Sequence, residues 1–294
     1  MGEWGEIRKY NKKCYILNMA EILYGAPVRE EIKKGIIERI KKMGRRPFLA
    51  IVQVGDREDS NVYIKQKQKF GEEIGVKVRL IKMERWKDGK IGEEKIIKEI
   101  KKLNKDENID GIIMQLPLPE GFDSEKILNT IDNKKDADGL VSRGTLDTVP
   151  ATARGVMALL DFYEIPVTGK NAAVIGRSRL AGAPIAEVLK NRGAKVSVCN
   201  RSTLNTAQIC RETDILISAA GKAGLVTRDF VKKGQTVVDV GINRTEEGKL
   251  VGDVASNEVE AIVAAISPVP GGIGPLTVAC LFQNLIDLCE KQVL

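Results

Sequence analysis

An α/β fold in two domains is what this sequence predicts, and three observations carry that expectation. The chain has 294 residues, 43% of them hydrophobic, enough to bury a real core and to make about two domains. Short continuous apolar runs alternate with longer amphipathic stretches, the pattern of buried parallel strands separated by helices. A glycine-rich turn at 176–184 joins one such run to one such stretch.

Taken in order, residues 1–18 read as an appendage, and Met19 could serve as the start of the chain proper. The first amphipathic helix is expected from about Met19 through APVREEIKKGIIERIKKM. RPFLAIVQVG (46–55) then predicts a buried strand, 58–74 a helix, VKVRLIKM (76–83) a strand, 93–104 a helix and IDGIIMQLPLP (109–119) a further strand. A second series opens with NAAVIGRSRLAGAPIAEVLKNRGAKVSVCN (171–200) and continues through DILISAAG (214–221), QTVVDVGIN (235–243) and AAISPVPGG (264–272). Between the series TARGVMALLDFYEI (152–165) predicts a connecting helix, and GPLTVACLFQNLIDLCEKQ (274–292) a last helix that returns to the first domain. The expected division is 1–153 with 274–294 against 154–273.

Composition removes several classes of chemistry. There is no histidine, so Ser/His/Asp and Cys/His nucleophiles, imidazole acid/base work and His-bound zinc are excluded. Proton transfer falls to Lys, Tyr, Asp, Glu or Cys. Five scattered cysteines without a Cys-x-x-Cys pair suggest neither a disulfide framework nor a metal site, and fit buried thiols in a reducing compartment. No run approaches the roughly 18 to 20 apolar residues of a membrane span, and the start lacks a signal-peptide core, so a cytoplasmic protein is expected. Lys+Arg 47 against Asp+Glu 40 gives +7, but the basic residues interleave with acids at helical spacing. With only 4% aromatic residues and no basic stripe carrying stacking groups, nucleic acid is not the expected partner. The mild positive field favours anionic small molecules instead.

In AAVIGRSRLAGAP a strand runs into Gly176, Arg177, Ser178, Gly182 and Pro184 before a helix, placing backbone N–H groups where a pyrophosphate could bind. The spacing is not Gly-x-Gly-x-x-Gly, and such a turn also occurs for purely steric reasons. After the second strand, where an NAD site would carry Asp or Glu, stands CNRST with Arg201. Together with Arg177 this suits a 2′-phosphate and points to NADP rather than NAD.

Among many lysines, Lys67 is set apart by company. Ser60, Tyr63 and Lys67 follow at i, i+3 and i+7 on one helix stripe, just after a strand that ends at Gly55. Strand C-terminal ends are where α/β sheets gather ligands. Gln115 interrupts an apolar strand, where a buried amide needs partners. Asp138, in KKDADGL, has turn chemistry as its alternative explanation.

The stretches SNVYIKQK, DGIIMQLPLP, KDADG, VIGRS, VDVGINR, GDV and PVPGGIGPLTVACL, in this order over nearly the whole chain from about residue 19, resemble the bifunctional methylenetetrahydrofolate dehydrogenase/methenyltetrahydrofolate cyclohydrolase family. The resemblance implies an N-terminal parallel-sheet catalytic domain, a Rossmann-type NADP-binding domain and a cleft between them. By the same resemblance Tyr63, Lys67, Gln115 and Asp138 are the catalytic set, and Ser60, Pro270, Gly271, Gly272 and Pro275 join the folate side, whose loop runs from Val269 to Leu276. Gly176, Arg177, Ser178, Arg201, Ser202, Ile242 and Thr277 would contact the cofactor. It further implies tetrahydrofolate substrates, a homodimer formed through the nucleotide domain and a place in one-carbon metabolism.

Three places depart from the family pattern. The junction reads PATARG, with Ala151 and Ala153 where the family carries Cys and Pro. Cys-His-Ser has become CNRS at 199–202, and Ser256 stands where an aromatic is expected. These changes keep open a cyclohydrolase-only or non-catalytic paralogue. A shikimate-type dehydrogenase would share the glycine loop and a lysine, but Tyr63 and PVPGGIGP argue against it.

Overall fold

The computed structural model describes residues 20–83, 92–141 and 148–291. Its elements are, in chain order, β1 (Glu21–Ile22), α1 (Gly25–Met43), β2 (Phe48–Val54), α2 (Glu58–Glu73), β3 (Lys77–Met83), α3 (Glu93–Lys105), β4 (Gly111–Met114) and α4 (Ser124–Leu128). There follow α5 (Ala151–Phe162), β5 (Asn171–Ile175), α6 (Gly182–Asn191), β6 (Lys195–Cys199), α7 (Thr206–Arg211), β7 (Ile215–Ser218), β8 (Thr236–Asp239), β9 (Asn243–Arg244), β10 (Leu250–Val251), α8 (Ser256–Val259), β11 (Ala265–Ile266) and α9 (Ile273–Lys291). The described residues form two compact units, one within 30–151 together with 278–291, the other of residues 20–29 with 152–277.

In the first unit β3, β2 and β4 make a parallel sheet in that order. All seven residues of β2 are buried, as its unbroken apolar run requires of a central strand. On one face Phe48, Ala50, Val52, Ile112 and Met114 pack against Ile96, Ile100 and Leu103, the apolar stripe of α3 at i, i+4 and i+7. Each such side chain contributes roughly 1.5–3 kcal/mol of burial. Phe70 of α2 meets Phe282 of α9 with ring centroids 5.4 Å apart. Gly71 and Gly111 are where these layers close: a Cβ on Gly111 would run into Leu285, and one on Gly71 into Val78.

The second unit holds a six-stranded parallel sheet in the order β1-β11-β8-β7-β5-β6. Here the sequence reading is corrected. The first helix begins at Gly25, not near Met19, because residues 21–22 are a strand paired with 265–266 through Glu21 N to Ala264 O and Leu23 N to Ile266 O, both 2.8 Å. Two residues are too few to show any periodicity. Residues 20–29 and 274–277 lie within this compact unit. The connecting helix also stops short of 165: Glu164 takes a left-handed conformation (φ 55°) and Ile165 N closes on Leu160 O at 2.8 Å, a Schellman-type end.

Candidate active site

Lys67 lies on the inner face of α2 and is 9% exposed. Its Nζ donates to Gln115 Oε1 at 3.0 Å, and Gln115 Nε2 in turn donates to the carbonyl of Leu116 at 2.8 Å. The amide is therefore oriented with its oxygen toward the amine. Burial pushes the Lys67 ammonium below its ordinary range, and Asp138 opposes that shift. Conversely, burial raises the Asp138 carboxyl while Lys67 draws it back down. A buried amine and a half-buried acid thus act on one another electrostatically, each restraining the other's departure from its usual state.

The turn that displays Asp138 is built by its neighbour. Asp136 accepts from Gly139 N at 3.0 Å and from Val141 N at 2.6 Å, and Gly139 adopts φ 71° where a Cβ would collide with Pro150. Turn chemistry in KDADG is thereby assigned to Asp136 and Gly139, which leaves the Asp138 side chain available. Ser60 is buried and Tyr63 half-buried on the same helix as Lys67. Of the predicted catalytic set, Lys67 is bonded to Gln115 and acts electrostatically on Asp138, and Tyr63 stands one turn earlier on α2.

The predicted folate-side loop lies in the other unit. Gly272 N closes on Pro268 O at 2.8 Å, Gly271 has φ 110°, Pro270 is exposed, and Pro275 lies in the first turn of α9. In that same unit is the predicted cofactor set. Gly176 follows β5 at φ 106°, where a Cβ would strike the carbonyl of Ala219, and a Cβ on Gly182 would strike that of Gly176. The glycines therefore bring the loop down onto the sheet and start α6 directly behind it. Arg177 and Ser178 are exposed on this loop. After β6, Asn200 Oδ1 accepts from Ser202 N at 2.8 Å and Ser202 Oγ at 2.6 Å, so the asparagine that replaces the family histidine makes an Asx turn presenting Arg201. Ile242 is 48% exposed just before β9, and Thr277 Oγ1 donates back to Ile273 O at 3.4 Å.

Two buried acids that hold the loops of this unit were not singled out in the sequence. Asp253, fully buried, accepts from Ser218 Oγ, from the N–H groups of Ala220, Gly221 and Lys222, and from Asn243 Nδ2, all at 2.7–3.1 Å. It fixes the loop after β7, beside the Ala219 carbonyl that receives Gly176. Asp239 accepts from Gly241 N, Asp253 N and Val254 N, yet burial still pushes its carboxyl up to about 6. The signal was present, since two acids follow apolar runs in VVDVG and VGDV. A buried strand end cannot carry an acid without N–H partners. At the junction, α5 forms without the family proline: Ala151 N donates to Asp138 O at 3.1 Å, and Ala151 and Ala153 are buried.

Two family models match in chain order: the tetrahydrofolate dehydrogenase/cyclohydrolase catalytic domain over residues 23–138, and the NAD(P)-binding domain of the same name over residues 150–293. A bifunctional protein FolD of Enterococcus faecalis is 38% identical over 284 residues, spanning 93% of this chain and all of its own. That of Oleidesulfovibrio alaskensis is 42% identical over 278 residues, 91% of this chain and 96% of its own. Among solved structures, the bifunctional FolD methylenetetrahydrofolate dehydrogenase/cyclohydrolase of Campylobacter jejuni superimposes with a TM-score of 0.89 at 38% identity, covering 93% of this chain and 99% of that one. The Trypanosoma brucei enzyme, solved with NADP cofactor and an inhibitor, gives 0.86 at 34% identity over 94% and 99%. With the Lys67–Gln115 pair, Asp138 and the glycine cradle each falling within the matched stretches, the chain belongs to the tetrahydrofolate dehydrogenase/cyclohydrolase family.

Proposed function

We infer that this protein oxidises 5,10-methylenetetrahydrofolate to 5,10-methenyltetrahydrofolate with NADP+, then hydrolyses the product to 10-formyltetrahydrofolate. The observation that carries the reading is the buried Lys67 amine bonded to Gln115 and acted on by Asp138. The cradle of Gly176 and Gly182, whose backbone a side chain would block, fits a pyrophosphate, and exposed Arg177 and Arg201 fit a 2′-phosphate. When bound, NADP+ supplies the acceptor for oxidation of the folate methylene carbon.

That first step asks the protein for orientation, not for a strong base, because the N5 and N10 lone pairs stabilise the resulting cation. The second step asks for proton management. Water adds its oxygen to the methenyl carbon and loses one proton to give a neutral carbinolamine. N5 is then protonated, its bond to that carbon breaks, the hydroxyl gives up its second proton to become the carbonyl, and the formyl group stays on N10 with one proton released overall. Lys67, held below its usual pKa, takes the proton from water and returns one to N5. Gln115 fixes its Nζ, Asp138 accepts from pterin N–H groups, and Tyr63 stacks on the aminobenzoate ring. Ser60 and the 269–276 loop complete the folate contacts, with Ser202, Ile242 and Thr277 on the cofactor side.

The working form in this reading is a cytoplasmic homodimer. β6 is an open edge of its sheet, and near it Val198 and Leu204 are exposed at 37% and 83%. Light scattering should return twice the 32.3 kDa chain mass; a monomer at micromolar concentration contradicts the dimer.

The deciding experiment mixes the purified protein with 5,10-methylenetetrahydrofolate and either NADP+ or NAD+, following reduced nicotinamide and methenyl absorbance. NADPH formation well above NADH, with decay of added methenyltetrahydrofolate, supports both activities. Decay without reduction would leave a cyclohydrolase alone.

A further inference from the structure

Gln53, on β2, is 2% exposed, and strand alternation turns it to the face opposite Ala50, Val52 and Val54. Gln115 N donates to Val52 O at 2.8 Å, carrying the β2–β4 register one step past the Val52–Met114 pair. Gln53 therefore stands beside Gln115 on one sheet face, and Gln115 is the residue that holds Lys67.

The Gln53 amide is oriented by a chain of bonds whose direction a charge dictates. Lys82 Nζ lies 3.1 Å from Asp56 Oδ1. An ionised carboxylate can only accept, so Asn61 turns its Nδ2 to Asp56 at 2.7 Å. That points Asn61 Oδ1 at Gln53, which donates to it from Nε2 at 2.8 Å. The Gln53 oxygen is left as the inner end of the relay, buried and with no donor among the described residues. Buried acceptors are rarely left so, and those that are call for an explanation. Lys67 bonds the neighbouring Gln115 and, of the three N–H bonds an ammonium carries, directs one there.

We propose that Gln53 is a further positioning residue of the Lys67 site: its inward oxygen accepts a hydrogen bond from a water that Lys67 Nζ also binds, so that two amide oxygens hold the ammonium and its water. The proposal rests on the reading of Lys67 as the proton carrier of the hydrolytic step. It gives the otherwise unexplained polar sequence Asp56, Asn61, Gln53 a role that needs no contact with folate. Among the described residues the charge that acts on Lys67 is Asp138, while Asp56 and Lys82 lie at the outer end of the relay. Gln53 adds an uncharged acceptor that favours the ammonium over the amine.

The test uses the full chain as Gln53→Leu, which removes the acceptor, and Gln53→Glu, which keeps an inward oxygen and adds charge. Hydrolysis of methenyltetrahydrofolate and NADP+-dependent oxidation are measured across pH, with circular dichroism melts as the fold control. Gln53→Leu should lower the hydrolytic kcat by about three- to tenfold, the value of one hydrogen bond, while oxidation changes by less than about twofold. The limb of its pH profile set by the lysine should move to lower pH, and Gln53→Glu should move that limb to higher pH. A folded Gln53→Leu with unchanged hydrolysis and an unmoved limb overturns the proposal, as does an equal loss of both activities with no movement of the limb. If Gln53→Leu does not fold, Gln53→Glu decides by the direction of its limb alone. Should Lys67→Met hydrolyse at the parent rate, the reading of Lys67 fails, a different result from either of these.

Discussion

At the scale of single residues, the site turns on environment more than identity. Lys67 is one of many lysines, and only its burial and its bond to Gln115 separate it from them. Lys67→Met is expected to lower methenyl hydrolysis by at least about 100-fold. The fold should survive, because methionine replaces much of the buried lysine stem on α2 with an unbranched side chain of similar length. A folded variant that hydrolyses at the parent rate would sink the role. Asp138→Ala should weaken folate binding by about tenfold in calorimetry, the loss of one charge-assisted hydrogen bond. Tyr63, Lys67, Gln115 and Asp138 were legible in sequence because helix spacing and an amide in an apolar run are local signals. Gln53 and Asp253 were not, because what distinguishes them is a bond direction or a ring of N–H donors drawn from distant segments.

At the scale of elements, strands and helices followed from their apolar periodicity, and the misses came where length or backbone conformation ruled. Glu164 ends α5 in a left-handed conformation that glycine adopts without strain. Glu164→Gly should therefore raise unfolding free energy by about 1 kcal/mol, measured by chemical denaturation. A decrease would mean that the side chain is needed where it stands. The acid-bearing end of β8 adds a pH dependence. Asp239 has a folded pKa of about 6, above its unfolded value of 3.8, so the folded state binds more protons between the two. Its contribution to stability is fully present below the unfolded pKa and is lost as pH rises through the folded one. Comparing the parent with Asp239→Asn, the difference should shift toward the variant by up to about 3 kcal/mol between pH 4 and pH 7. A pH-independent difference would show that the N–H groups of Gly241, Asp253 and Val254 outweigh burial.

On the whole-molecule scale, two features frame the activity. No helix among the described residues is long and apolar enough to cross a membrane. The net charge of +7 sets a field that both anionic folate and NADP+ feel on approach. Raising ionic strength well past the point where the Debye length falls to about 8 Å should raise KM for both while leaving kcat nearly constant. A kcat that falls with salt while KM holds would place the charge effect in the site instead. The parallel order of both sheets was legible from the alternation of runs, whereas the membership of residues 20–29 was not: β1 finds its partner at the far end of the chain, and no local pattern announces it.

That pairing has a consequence for how the protein is made. Glu21 lies opposite Ala265, and the layer of α9 that covers Gly111 arrives only with Phe282 and Leu285. The three strands of the first sheet are out by residue 114, but its α9 cover and the β1–β11 pairing of the second sheet wait until a ribosome has delivered almost the whole chain. Until then each unit carries an uncovered apolar edge, and for that interval a chaperone has something to hold.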